Sequence, residues 1–127
     1  LVVVDSPPHM EVEARVAVRS ADLVVVPVQP SPMDLWATEP TLKLAKEEKV
    51  RTLLVVNRVP PRAKLADALI ERIHGLGVDV AQAQVGNRIQ FAAALLDGRS
   101  VTETARRTRA AEEVQELAAE ILLRLGA

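Results

Sequence analysis

The sequence predicts an α/β domain in which a three-layer, open, mostly parallel sheet carries helices on both faces. Three observations lead there. Residues 1–4, 23–28 and 52–56 are short runs rich in valine and leucine without polar alternation, the pattern of strands buried on both faces. Each run ends in a polar, proline-marked turn. Between and after the runs lie stretches with apolar residues at helical spacing, and strands alternating with helices imply parallel pairing through crossover helices.

The elements follow in order. Residues 1–4 form the first expected strand, stopped by Asp5-Ser6-Pro7-Pro8, because two prolines remove donors and restrict the backbone before them. Residues 11–20 suit a short helix with Val12, Val16 and Arg19 on one side. The second strand, 23–28, ends in Gln29-Pro30-Ser31-Pro32. Asp34 is a candidate N-cap for a helix reaching Lys49, kinked or restarted at Pro40, with Leu35, Leu42 and Ala45 toward the sheet. The third strand, 52–56, stops at Asn57-Arg58-Val59-Pro60-Pro61. Residues 65–76 predict an amphipathic helix with Leu65, Leu69, Ile70 and Ile73 inward, ended by Gly75 and Gly77. A weaker fourth strand spans 78–85, and Gly86-Asn87-Arg88 turns into a helix over 89–96 closed by Gly98. The last helix covers 108–125 with a buried stripe of Ala110, Val114, Leu117, Ile121 and Leu125. With no repeat and no low-complexity linker, residues 1–127 make a single domain.

Composition narrows the function. A net charge of −1 removes a global basic field for nucleic acid, so DNA contact would need a local patch. Trp36 and Phe91 are the aromatic residues, too few for a base-stacking platform. Without cysteine there is no disulfide or thiolate metal site, which fits a reducing compartment. No apolar run is long enough for a transmembrane helix, and no signal peptide is evident. The chain opens at Leu1 directly into an apolar run, which reads either as removal of a leader or as missing upstream sequence.

In an open parallel sheet, ligands bind outside the carboxyl ends of the strands. The turns at 5–8, 29–34, 57–61 and 86–88 all belong to that edge. Asp5 at a strand end can order a metal-bound water or accept a proton; the alternative is a turn-forming Asp. The Asn57 amide offers a donor and an acceptor to a nucleobase edge; the alternative is an Asn tying down its own turn. His9 and His74 are too far apart and too poorly accompanied for a metal site; His74 reads as a surface or cap residue. Arg106, Arg107 and Arg109 form a basic cluster, either a solvated helix start facing Glu112 and Glu113 or a DNA-phosphate contact. Arg58, Arg62 and Lys64 form a second such cluster.

Taken together these segments resemble the ParA/MinD family of P-loop ATPases. Residues 1–8, Leu-Val-Val-Val-Asp-Ser-Pro-Pro, are similar to the family's Walker B strand and its D-[ST]-P-P turn. Residues 21–35, from Ala21-Asp22 through the Gln29-Pro30-Ser31-Pro32 loop to Leu35, resemble the next strand and loop of the plasmid and chromosome partition ATPases. Val55-Val56-Asn57-Arg58-Val59 resembles the strand whose Asn meets adenine. Gly86-Asn87-Arg88, the following helix, Gly98-Arg99-Ser100-Val101 and the terminal helix match the family's C-terminal layout. The ordered set spans nearly the whole chain; D-S-P-P alone is weak.

The resemblance implies a P-loop NTPase-like fold with its N-terminal strand or strands missing, the chain being the C-terminal part of a ParA-like domain. It implies ATP and Mg²⁺ as cofactors. By position, Asp5 would hold Mg²⁺ through water and Asp5, Ser6, Pro7 and Pro8 would form the catalytic segment that senses the γ-phosphate. Asn57 would hydrogen-bond adenine, with Arg58, Val85 and Arg88 flanking the base. The family hydrolyses ATP as a homodimer, binds DNA non-specifically, here through Arg106, Arg107 and Arg109, and moves cargo with a ParB-like partner in the cytoplasm or on the nucleoid.

One departure is severe. The family's K-G-G-x-x-K-[ST] loop has no counterpart, because Gly75, Gly77, Gly86, Gly98 and Gly126 are scattered and none precedes a lysine. Without it, no backbone N–H cradle and no lysine meet the phosphates. The chain alone is therefore expected to bind ATP poorly, to lack ATPase activity and to be marginal in stability, since the family's P-loop strand would sit between 1–4 and 23–28. Two other readings are a P-loop-less module that binds a partner or DNA, and a receiver-like domain with Asp5 as phosphoacceptor, which lacks the earlier acidic strand end it needs.

Overall fold

The computed structural model describes residues 1–6, 11–62 and 64–126. In chain order its elements are α1 (Glu11–Ser20), β1 (Val24–Val28), α2 (Pro32–Glu47), β2 (Thr52–Val56), α3 (Lys64–His74), β3 (Asp79–Val80), α4 (Ile89–Leu96), α5 (Val101–Thr104) and α6 (Arg109–Arg124). The sheet has three strands in the order β1-β2-β3, all parallel. Val24 pairs with Thr52 and Val28 with Val56; Leu53 and Leu54 pair with Asp79 and Val80.

The central strand β2 explains the packing. Successive strand residues point to opposite faces, and four consecutive β2 residues, Leu53 to Val56, are buried. Leu54 and Val56 join Val26, Val28 and Ile73, with Leu35, Leu42 and Ile70 packed against them from α2 and α3. Leu53 and Val55 join Ala81, with Leu117 and Ile121 packed against them from α6. A separate apolar cluster, Ala94, Val101, Ala110 and Ala111, joins α4, α5 and α6.

Local signals set the helix ends. Ser31 caps α2 by accepting the Asp34 N–H, and Pro32 occupies the first turn, where its missing donor costs nothing. The cap is thus Ser31 rather than Asp34, whose carboxylate instead accepts the Gln29 N–H. The helix runs through Pro40 without restarting. Thr108 caps α6 through the Ala111 N–H, and the helix ends at the expected place. Its stripe holds: Ala110 is buried and Val114, Leu117, Ile121 and Leu125 are half-buried.

Four expectations are corrected. Residues 1–4 are not a strand; Leu1 to Val4 are 68–87% exposed. A β-branched run becomes a buried strand only with a ladder partner and a covered face, and neither exists for it among the described residues. In α1, Val12 and Val16 are exposed and Val18 is the buried residue. That helix is tied to α2 by Arg15 and Arg19 on Glu47 and Glu48. In α3 the inward stripe is Ala66, Leu69 and Ile73, with Leu65 left 69% exposed. Finally, the strand expected over 78–85 pairs regularly only at Asp79–Val80. Ala81 N–H still reaches Leu54 O, but the next two N–H groups, of Gln82 and Ala83, turn to the Glu120 carboxylate on α6. Short α5, opened by a capping box between Ser100 and Glu103, adds a helix that the sequence pattern did not separate.

Within this sheet β1 pairs with β2 alone, and its Val25 and Pro27 are exposed. Among the described residues no helix is long and apolar enough to cross a membrane.

Candidate functional site

Parallel register brings the strand ends together. Val28 and Val56 are partners, so Gln29 and Asn57 leave the sheet side by side, and the Asn57 N–H donates to Val28 O at 2.9 Å. The segment after β3 then rejoins the edge. Val85 N–H donates to Val56 O at 2.9 Å, Val59 N–H to Val85 O at 3.0 Å, and Asn87 N–H to Val59 O at 3.0 Å. Val59 and Gly86 form an isolated parallel bridge. Of the four turns expected at this edge, those beginning at Asn57 and Gly86 are therefore joined to β1, β2 and each other by backbone hydrogen bonds, and the Gln29 turn continues from β1 beside Asn57.

The half-buried Asn57 ties its own turn. Its Oδ1 accepts the Arg58 N–H at 2.9 Å, bracing a turn in which Arg58 adopts φ 53°. Such a left-handed conformation is costly for a side-chain-bearing residue and needs this kind of local support. The amide oxygen has a second lone pair and the NH₂ group two donors. The same side chain thus ties its turn and keeps hydrogen-bonding capacity to spare. Val85 turns its side chain onto the Leu53–Val55–Ala81 cluster.

Arg88 is engaged on the α6 side. Glu113, 5% exposed, accepts the Gly86 N–H and Arg88 Nε–H on Oε2, both at 3.0 Å, and Arg88 Nη2–H on Oε1 at 2.7 Å. Arg109 Nε stands 3.6 Å from the same carboxylate. A cleft of about 340 Å³ opens between the 59–61 turn, Gln84 and this Arg88–Glu113 pair.

Asp5 and Ser6 are exposed and take no part in the hydrogen bonds that join the Asn57 and Gly86 turns. Pro7, Pro8 and His9 lie outside the described residues. Arg58, Arg62, Lys64 and His74 are exposed. Arg106 and Arg107 are exposed, while Arg109 pairs with Glu112 at 3.3 Å and Glu116 at 3.1 Å, the solvated helix start weighed above. Sequence reasoning placed Glu113 only as a partner of the basic cluster, not in this site, and missed Glu120. They lie two turns apart on α6, beside the apolar stripe positions 114, 117 and 121, and an acidic pair adjoining a buried stripe is the signal that could have found them.

Burial pushes the Glu113 carboxyl up, but hydrogen bonds from Arg88 and Gly86 and the charges of Arg88 and Arg109 outweigh it, so the net shift is down. At Glu120 burial is likewise outweighed, by the Ala83 and Gln82 N–H groups and Arg124. Glu48 is held down to about 2 by hydrogen bonds from Arg19 and Arg15. A carboxyl depressed in the folded state contributes stability above its unfolded value, and that contribution fades as pH falls toward the folded value. The chain is therefore expected to lose stability as pH drops below about 4.5, with no comparable loss from these groups between pH 6 and 8. Urea midpoints followed by circular dichroism across pH check this, and a midpoint unchanged from pH 6 to pH 3 would contradict it.

No family model matches the chain. It is similar to a named protein. Over 128 residues it is 32% identical to the "Maintenance of carboxysome distribution protein A" of Halothiobacillus neapolitanus (strain ATCC 23641 / c2), a match taking in 95% of this chain and 59% of that protein. The chain thus spans about three fifths of the length of this relative.

Proposed function

We propose that this chain is the base-binding portion of a ParA/MinD-like ATPase that positions a cargo. The fold is read as the three-layer P-loop NTPase-like arrangement, with α2 and α3 on one face of β2 and α6 on the other. The observation that carries the reading is the junction of strand ends: Asn57 beside Val28, and residues 85–87 bonded to Val56 and Val59. It sits at the edge where an open parallel sheet takes its ligand. The ordered motifs and the similarity to a protein named for maintaining carboxysome distribution support the same reading.

The residues fit an adenine base and not the rest of the nucleotide. Asn57 offers a paired donor and acceptor next to a rigid turn. The sequence holds no glycine-rich loop followed by Lys-Ser or Lys-Thr, and among the described residues no three His, Asp or Glu side chains form a metal group. Asp5 would meet Mg²⁺ through water. Mg²⁺ in nucleotide sites leans on phosphates and water more than on protein ligands, so its place depends on a phosphate cradle. In the whole activity, ATP binding would drive homodimerisation, DNA would be held non-specifically, and a ParB-like partner would couple hydrolysis to cargo movement.

Two outcomes are expected. The chain alone gives no ATP turnover in a phosphate-release assay; turnover that survives repurification and disappears in Asp5→Ala would overturn that. AMP binds weakly at the Asn57 edge, and Asn57→Ala weakens it about tenfold, because two amide hydrogen bonds are worth roughly 0.5–1.5 kcal/mol each. An NMR titration in which Asn57→Ala leaves the AMP affinity unchanged would remove the base site from this edge.

A further inference from the structure

We propose that Glu113 is a positioning residue for the base-binding edge: from α6 it sets where residues 85–88 stand against the Asn57 turn. This rests on reading that edge as the adenine side of a nucleotide site.

A carboxylate buried to this degree is costly unless every oxygen is used. Here both are. Oε2 takes the Gly86 N–H and Arg88 Nε–H, and Oε1 takes Arg88 Nη2–H, the two-pronged geometry that fixes orientation as well as distance. Gly86 makes the arrangement possible. A Cβ there would lie 2.9 Å from Arg88 Nε and 3.1 Å from Arg88 Cζ, so a side chain at this position would push the guanidinium away from where it meets Glu113. The position is then passed on, because Gly86 bridges Val59 and the Asn87 N–H donates to Val59 O, two residues after Asn57. Glu113 thus reaches the Asn57 turn through a continuous run of hydrogen bonds. Arg88 supports the loop from the α6 side while it lines the cleft beside the 59–61 turn.

A tie of this kind could instead only hold α6 to the domain. Glu120 separates the two roles. It sits on the same helix and also accepts two backbone N–H groups, but from Gln82 and Ala83 rather than from residues bonded to the Asn57 turn. The experiment titrates AMP into the 127-residue chain and into Glu113→Gln, Glu120→Gln and Arg88→Gln, following backbone amides by NMR at a temperature where each is folded. Glu113→Gln and Arg88→Gln are expected to weaken AMP about tenfold and to speed hydrogen exchange at the Gly86 amide, while Glu120→Gln leaves the AMP affinity as it was. If Glu113→Gln does not fold, Arg88→Gln carries the same test from the other side of the pair. AMP affinity unchanged in the Glu113 or Arg88 variant, or lowered equally by Glu120→Gln, overturns the positioning role. Absence of AMP binding by the unsubstituted chain overturns the adenine-edge reading and this inference with it, and is told apart because it needs no variant.

Discussion

Leu54→Ala is expected to lower the stability of the chain by about 2–5 kcal/mol and to move its urea midpoint down sharply. Leu54 is fully buried at the centre of the middle strand, between Val26 and Val28 on β1 and Ile73 on α3. Truncating a buried leucine removes its transfer free energy and leaves a cavity, about 2–5 kcal/mol in all. Small domains hold only about 5–15 kcal/mol against unfolding, and this chain belongs near the lower end. Leu1 to Val4, Val12, Val16 and Val25 leave apolar surface in water, and among the described residues β1 has a strand partner on one side only. Far-ultraviolet circular dichroism with urea titration reads the result. A variant that melts within a few degrees of the unsubstituted chain would show that β2 is not the centre of the core.

The second large effect is expected at Glu120→Ala, a loss of about 2–3 kcal/mol. Its carboxylate accepts the Gln82 and Ala83 N–H groups at 3.1 and 3.0 Å; Gln82 is exposed but Ala83 is only 8% exposed, so removing the acceptor strands the Ala83 donor where water reaches it poorly. A hydrogen bond to a charged group contributes about 1.5–3 kcal/mol, and an orphaned buried donor costs a similar amount. Glu48 gives the contrast. It makes several short contacts with Arg15 and Arg19, yet both arginines are well exposed and water competes for them. Glu48→Ala is therefore expected to move the urea midpoint far less than Glu120→Ala. Equal shifts would mean that the turn of residues 82 and 83 away from β2 is held by something other than Glu120.

These cases show which features the sequence made legible. β1, β2 and α6 could be read directly, because a short apolar run between turn signals or a stripe at helical spacing is a local property. Residues 1–4 carry the same local signal as β1 and are nevertheless exposed, because a strand is completed by a partner that no local pattern contains. The α3 stripe keeps Leu69, Ile70 and Ile73 as expected, but at its start Ala66 is inward and Leu65 outward. β3 is short because Gln82 and Ala83 bond to a glutamate 37 or 38 residues away. At the site, Asn57 was legible as a polar residue ending a buried strand. Glu113 was not, because its role depends on a glycine and an arginine that only the fold brings to it.

The central claim is that the edge formed by the Asn57 turn and residues 85–88 takes the base of an adenine nucleotide. The most direct measurement is a backbone-amide NMR map of the unsubstituted chain, titrated in parallel with AMP and with pyrophosphate. AMP is expected to shift the amides of residues 57–59 and 85–88, and pyrophosphate to leave those amides in place. Shifts confined to other parts of the chain, or the same shifts from pyrophosphate, would contradict the account.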